Sequence, residues 1–164
     1  MALAATTVLY VQTPDVEFDY LKGSSLLAVI GFVAGSLAYR VQRSSRGETS
    51  FLPYLSALVL YPSWSVVALI GIGTAAAELR RKKTGVKRVF NVAQFVLASA
   101  VSSLVYTILG GKPLAGADAS FNAVPHSAAV VAFLAVNTFA VAAAIGFSEG
   151  KGILRTWYDG NAAG

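Results

Sequence analysis

Amide and hydroxyl side chains lie inside two of the most apolar stretches of the chain. Asn91 and Gln94 are three residues apart, so they share one face of a helix. Asn137 lies in the middle of the last apolar stretch, where burying an amide without partners is costly. The sequence predicts hydrogen bonds between neighbouring helices, with Ser99 or Ser102 at a depth that matches Asn137. A small polar ligand pocket built from the same residues is the alternative.

The only histidine is His126, directly after Pro125. An imidazole at that position is able to ligate the metal of a haem or a chlorophyll, or to change its charge with pH. The sequence offers it no partner ligand, so this histidine is a weak candidate for a cofactor site. We predict no cofactor or metal of the chain's own, with lipid or pigment contacts from neighbouring subunits as a further option.

Residue patterns for catalysis are absent from the sequence. It contains no cysteine, no HExxH or GxSxG motif and no paired carboxylates. The run Gly110-Gly111-Lys112-Pro113 lacks the spacing of a phosphate-binding loop. We therefore predict that the chain is not an enzyme.

A cluster of six positive charges within nine residues separates two apolar stretches. Such a cluster beside membrane helices orients a protein with these residues on the cytoplasmic side. A patch for anionic lipid or nucleic acid is the alternative, but the cluster lacks interleaved aromatic residues and we expect no nucleic-acid partner. The cluster consists of Arg80, Arg81, Lys82, Lys83, Lys87 and Arg88.

Four long apolar stretches must position these side chains. Of the 164 residues, 55% are hydrophobic and only 13% are charged, whereas about a quarter of a soluble domain is charged. A membrane helix needs roughly 20 apolar residues. We predict one all-α integral membrane domain over residues 1–164. Its four transmembrane helical segments are predicted at residues 24–41, 51–79, 88–109 and 125–148.

Small residues mark the first two predicted segments. Gly31 and Gly35 form a GxxxG pattern, and Gly71 and Ala75 repeat the same spacing. In lipid the hydrophobic effect does not drive helices together, so helix pairing depends on close packing. Small residues on a helix face allow the backbones to approach closely. We expect other helices to pack there, with a chance pattern in a Gly- and Ala-rich chain as the alternative.

The second predicted segment is the least regular. Pro53 suits a helix start, whereas Pro62 disfavours helical geometry at Tyr61, so the sequence predicts a kink or a break. One interpretation is a single kinked span, and the other is a re-entrant pair of shorter helices. The re-entrant version places the basic loop at residues 40–46 on the same side as the six-residue cluster. The charges favour that version and the segment length only just permits it, so both remain open.

A short amphipathic segment follows the last apolar stretch. It combines Trp157 and Tyr158 with Lys151 and Arg155, which predicts a short interfacial C-terminal helix with aromatic anchors. If the six-residue basic cluster is cytoplasmic, the third and fourth spans return the C-terminus to the cytoplasm.

Several runs carry a resemblance to a known membrane region. They are residues 54–73, ELRRKK at 78–83, VFNVAQ at 89–94, LVY at 104–106, LGG at 109–111, VNT at 136–138, SEG at 148–150 and LRTW at 154–157. Together they resemble the multi-pass N-terminal membrane region of bacterial signalling proteins, such as the HD-GYP phosphodiesterases and related receptors. The resemblance implies a similar helix packing and a bacterial inner membrane. In those relatives a cytoplasmic catalytic domain follows, and its residues have no counterpart in this sequence.

Two functions are compatible with these patterns. The first is a non-catalytic accessory or structural subunit of a larger bacterial membrane complex, for example a respiratory or photosynthetic one. Its partners would be other membrane subunits and lipids. The alternative is a membrane sensory or small-ligand-binding module that works with a separate effector. The sequence favours the first, because the helix faces are slim and aromatic residues lie at both ends.

Overall fold

The fold is helical, as the sequence predicts. The computed structural model describes residues 18–36, 39–40, 46–47, 51–81, 83–114 and 121–162. Its helices, in chain order, are α1 Phe18–Ser36, α2 Phe51–Leu60, α3 Trp64–Arg80, α4 Gly85–Ile108, α5 Ala123–Glu149 and α6 Ile153–Ala162. Between α1 and α2, two-residue strands β1 Tyr39–Arg40 and β2 Arg46–Gly47 pair in an antiparallel ladder.

The first helix differs from its predicted bounds. It begins at Phe18 instead of residue 24, and it ends at Ser36 instead of residue 41. The Ser36 hydroxyl donates to the Phe32 carbonyl at 2.8 Å in the last turn of α1. Tyr39 then pairs with Gly47 in the β ladder, which satisfies backbone groups outside the helix.

The segment from α2 to α3 is broken at Pro62. The last turn of α2 closes with the Tyr61 amide donating to the Ala57 carbonyl at 2.9 Å. Proline has no amide hydrogen and disfavours helical geometry at the preceding residue, so the helix stops. Ser63 is extended, with φ −151°, and its hydroxyl accepts from the Val66 amide and caps α3. The sequence thus encodes both the stop and the restart.

Helices α1 and α2 run in opposite directions. An added side-chain carbon at Gly23 would overlap the hydroxyl of Tyr61, and one at Gly31 would overlap the edge of the Tyr54 ring. Gly31, later in α1, thus meets Tyr54 near the start of α2, while the earlier Gly23 meets Tyr61 just after the end of α2.

Helices α1 and α3 run in the same direction, so α2 and α3 form an antiparallel hairpin. A side-chain carbon at Gly73 would lie 3.4 Å from the Ala28 carbonyl oxygen, and the Arg80 guanidinium lies 4.9 Å from the centre of the Phe32 ring. The hairpin closes on itself as well, because the same carbon at Gly73 would lie 3.1 Å from the Tyr54 hydroxyl. The ends of the hairpin at Phe51 and Arg80 consequently lie at the same end of the molecule.

Two helices, α4 and α5, are long and apolar enough to cross a membrane among the described residues. They pack antiparallel, and α4 is also antiparallel to α3. Gly110, at φ 75°, ends α4, and the Asn122 side chain caps α5 by accepting from the Val124 amide at 3.1 Å. Gly150 at φ 66° ends α5, and α6 folds back along it.

The core lies where α2, α3, α4 and α5 meet. Tyr54, Phe95 and Phe133 form an aromatic row with ring centres 6.0 Å apart and edge-to-face geometry. Val67 and Ile70 of α3 are fully buried beside this row. Edge-to-face aromatic pairs add about 1 kcal/mol each beyond their buried area. This row fixes the depth at which the polar residues of α4 meet α5.

Candidate functional site

The predicted amide residues of α4 and α5 meet in the structure. The Gln94 amide nitrogen donates to Asn137 Oδ1 at 2.5 Å and to the Asn137 carbonyl at 3.2 Å. Gln94 is buried, so this contact satisfies an amide that would otherwise lack water. The pair ties the two long helices together at one depth.

The serine residues of α4 fall into two groups. Ser102 donates to the Ala129 carbonyl at 2.8 Å and forms a second link between α4 and α5. The hydroxyls of Ser99 and Ser103 are buried without a hydrogen-bond partner among the described residues. Thr74 of α3 shares this property. The structure therefore gives an interhelical bond to Ser102 and none to Ser99.

Two of the residues considered for a polar pocket, Asn91 and Asn137, line different recesses in the described part of the chain. Asn91 lines a groove of about 530 Å³ between α4 and α5, together with Lys83 and Lys87. Asn137 lines a separate recess of about 230 Å³ between α5 and α6, beside Trp157. The side-chain oxygen of Asn137 accepts the hydrogen bond from Gln94 of α4.

His126 is held by neighbouring side chains at the turn between α4 and α5. Its Nε2 lies 3.4 Å from the Tyr106 hydroxyl, and the two rings meet edge to face at 5.1 Å. Its Nδ1 faces the Asn122 carbonyl, and the Phe121 ring covers it at 4.6 Å. Within the described residues no three His, Asp or Glu side chains group as a metal site. Both imidazole nitrogens are thus engaged by protein atoms.

Two residues of the basic cluster bind one buried carboxylate. Glu78 has a side chain only 3% exposed, and its Oε1 accepts from Arg81 at 2.7 Å and from Lys83 at 3.0 Å. Arg81 also donates to the Gly35 carbonyl of α1, and Arg88 of α4 donates to the Arg81 carbonyl at 3.0 Å. The network therefore joins α1, α3 and α4 at the end where the hairpin opens.

The remaining basic residues have different surroundings. Arg80 stacks on Phe32 of α1. Lys87 is exposed at the groove between α4 and α5 and forms no ion pair with any described residue. Lys82 lies outside the described residues.

The small residues of α1 and α3 have different kinds of neighbours. Gly31 contacts the Tyr54 ring and Gly35 offers its carbonyl to Arg81. A side-chain carbon at Gly71 would lie 2.9 Å from Val96 of α4, which shows a close helix approach. Ala75 lines an apolar groove of about 390 Å³ between α3 and α4.

Two contacts were not anticipated from the sequence. Tyr54 packs at the centre of the hairpin, and the Trp157 indole nitrogen of α6 donates to the Thr138 hydroxyl of α5 at 3.2 Å. The burial of Tyr54 could have been inferred from its position one helical turn before Leu58, which places both residues on the same helix face. No sequence signal distinguishes the partner of Trp157.

The fold and the site together define a helical, membrane-associated domain with a polar link between two spanning-length helices and a basic end. Comparison with known families identifies it further. The chain matches the family MASE9 over residues 16–160, which is most of its length, so it belongs to this family of membrane-associated sensory domains. No curated protein and no solved structure matches the chain.

Proposed function

We propose that this chain is a membrane sensory module that reports to an effector through its C-terminal helix. Membership of MASE9 is the observation that carries the proposal. The accessory-subunit hypothesis gains no comparable support. The module itself is proposed to be non-catalytic and without a cofactor of its own, with lipids and a signalling effector as partners. The HD-GYP proteins that the sequence resembles offer one kind of effector.

The proposed membrane arrangement has α1, α4 and α5 crossing the bilayer and the α2–α3 hairpin entering and leaving on one side. At about 1.5 Å per residue, the ten residues of α2 extend about 15 Å and the 17 residues of α3 about 25 Å, both shorter than a hydrocarbon core of about 30 Å. The 24 and 27 residues of α4 and α5 are long enough to cross it. Because the irregular turn at Pro62 is covered by α1, its backbone avoids lipid.

The charge distribution supports a cytoplasmic location for the basic end. Eleven of the 13 lysine and arginine residues belong to the connections and helix ends on this side, and only Lys22 and Lys112 belong to the other. Basic residues near membrane helices concentrate on the cytoplasmic side. We therefore propose a bacterial inner-membrane protein with its C-terminus in the cytoplasm and residues 1–17 outside.

Helix α6 is the proposed output element. It follows directly from α5, and Gly146 lies so close to it that an added side-chain carbon would be 3.0 Å from the Lys151 carbonyl. The bond from Trp157 to Thr138 holds α6 against the same helix that bonds to Gln94 through Asn137. A shift between α4 and α5 would therefore change the position of α6.

A fusion protein tests this function. Residues 1–164 are joined to the catalytic domain of a nucleotide cyclase and produced in bacteria that lack their own cyclase. We expect Trp157→Phe to change cyclase output by at least about twofold at equal protein level, the lower end of effects for mutations between coupled sites. Tyr158→Phe is the matched control, since Tyr158 is a neighbouring exposed aromatic residue. Equal cyclase output from the unsubstituted fusion, the Trp157→Phe fusion and the Tyr158→Phe fusion would show that no signal passes through α6.

A second measurement separates the accessory-subunit hypothesis. The chain is extracted in native lipid and its mass is measured intact. A stable complex of several membrane subunits in fixed proportion would contradict the sensory proposal. Recovery of the chain without such a complex supports it.

A further inference from the structure

The groove between α4 and α5 at the basic end changes in polarity along its length. Its volume is about 530 Å³. Lys83, Lys87 and Ser148 lie at the helix ends, and Phe90 and Val141 line the groove further along the helices. At about 1.5 Å per residue, the path along α4 from Lys87 to Phe90 covers one turn, so the polar mouth and the apolar wall are adjacent.

The mouth of the groove has unbalanced positive charge. Lys87 is exposed and forms no ion pair with any described residue. Lys83 contacts Glu78 at 3.0 Å, but an ammonium group has three hydrogens to donate. The nearby carboxylate of Glu149 is neutralised by Lys151 at 2.7 Å. An anion at the mouth would therefore meet two lysines.

We propose that this groove binds an anionic glycerophospholipid from the leaflet at the basic end. The phosphate would lie between Lys83 and Lys87, and one acyl chain would cover Phe90 and Val141. A soluble phosphate ion would fit the mouth of the groove but would leave its apolar wall uncovered. A zwitterionic lipid would cover the wall but would bring its positively charged group close to the two lysines. This site goes beyond the proposed sensory function and does not depend on it.

Fluorescence quenching by brominated lipid tests the site in the full chain. Phe90→Trp, combined with Trp64→Phe and Trp157→Phe, places the only tryptophan in the groove. The protein is placed in phosphatidylcholine vesicles with increasing amounts of brominated phosphatidylglycerol or brominated phosphatidylcholine. We expect stronger quenching by the phosphatidylglycerol at equal mole fraction.

Charge variants show whether the preference arises at the groove. Lys87→Gln should lower the preference for phosphatidylglycerol about fivefold, the effect of one basic residue at an anionic membrane surface. Lys112→Gln removes an exposed lysine at the opposite end and is expected to leave the preference unchanged, because that lysine does not line the groove.

A steric variant tests the same site without changing charge. Ala144 lines the groove, so Ala144→Phe should fill it and reduce quenching by phosphatidylglycerol. Ala135→Phe, on an exposed part of α5 outside the groove, is the matched control. The charge and steric variants act by unrelated means, so misfolding of one, detected by circular dichroism, leaves the other as the test. Equal quenching by both lipids, or equal losses in Lys87→Gln and Lys112→Gln, would overturn the proposal.

Discussion

At the scale of single residues, Glu78 is the side chain whose burial most needs compensating contacts. A buried carboxylate is tolerated only when cations and hydrogen bonds compensate for the lost water. Arg81 and Lys83 supply that compensation on Oε1, while Oε2 is buried without a partner among the described residues. Glu78 thus holds the cationic groups that connect three helices.

Replacing Glu78 with glutamine should destabilise the domain. The amide loses the charge that balances Arg81, and bonds to a charged group contribute about 2 kcal/mol each. We expect Glu78→Gln to lower the free energy of unfolding by about that amount, measured by denaturant titration in mixed micelles with circular dichroism.

The control uses the exposed pair of Glu149 with Lys151. Their side chains are 49% and 62% exposed, and exposed pairs contribute about 0.5 kcal/mol or less. Glu149→Gln should therefore have little effect. If Glu78→Gln were equally harmless, the carboxylate would not stabilise the basic end.

The polar site was predictable at this scale only in part. Asn137 and Gln94 lie in apolar stretches where amides require partners, and helix depth alone indicates that those partners belong to neighbouring helices. The exact pairing was not predictable, since Ser99, Ser102 and Gln94 lie on adjacent turns of α4. Only packing decides which of them points toward Asn137, and here it is Gln94.

At the scale of helices, the hairpin of α2 and α3 depends on the slim surface of α1. Gly31 leaves space for the Tyr54 ring, which lies between α1 and α3. We expect Gly31→Ala to lower the free energy of unfolding by about 1–3 kcal/mol, because the extra methyl group forces the ring to move. The same micelle titration measures this change.

A second glycine provides the comparison. Gly85 begins α4 with no atom within 4 Å of the added carbon, so Gly85→Ala should be neutral or slightly stabilising. The cost of Gly31→Ala should also shrink in a Tyr54→Leu background, as a double-mutant cycle would reveal. Equal costs in both backgrounds would show that the ring is not the obstacle.

The sequence predicted the break in this segment but could not decide its direction. Pro62 ends a helix whether the chain then continues or reverses, because its effects on backbone geometry are local. The reversal follows from contacts that are distant in sequence, such as Tyr54 with Gly73. The first helix ends before the predicted residue 41 for a similar reason. Tyr39 pairs with Gly47, eight residues further along the chain, and a local sequence pattern does not reveal that pairing.

At the scale of the whole molecule, the hairpin brings the two basic connections to one end. The connection at residues 40–46 follows α1, and residues 80–88 lie between α3 and α4. A single span between them would place these connections on opposite sides of a bilayer. The proposed re-entrant hairpin would instead keep both connections on one side, which agrees with the preference of basic residues for the cytoplasmic side.

Cysteine labelling in cells distinguishes these two arrangements, because the chain contains no cysteine of its own. Ser44→Cys and Thr84→Cys place single thiols in the two basic connections, and Ala117→Cys places one in the connection between α4 and α5. Thr84 is exposed and its side chain makes no capping bond, so its replacement should not disturb α4. A membrane-impermeant maleimide added to spheroplasts should label only Ala117→Cys, and inverted vesicles should label only the other two. Detergent-solubilised protein should react at all three positions, which controls for thiols buried in the fold. Labelling of Ser44→Cys and Thr84→Cys from opposite faces would replace the re-entrant hairpin with a membrane-crossing segment.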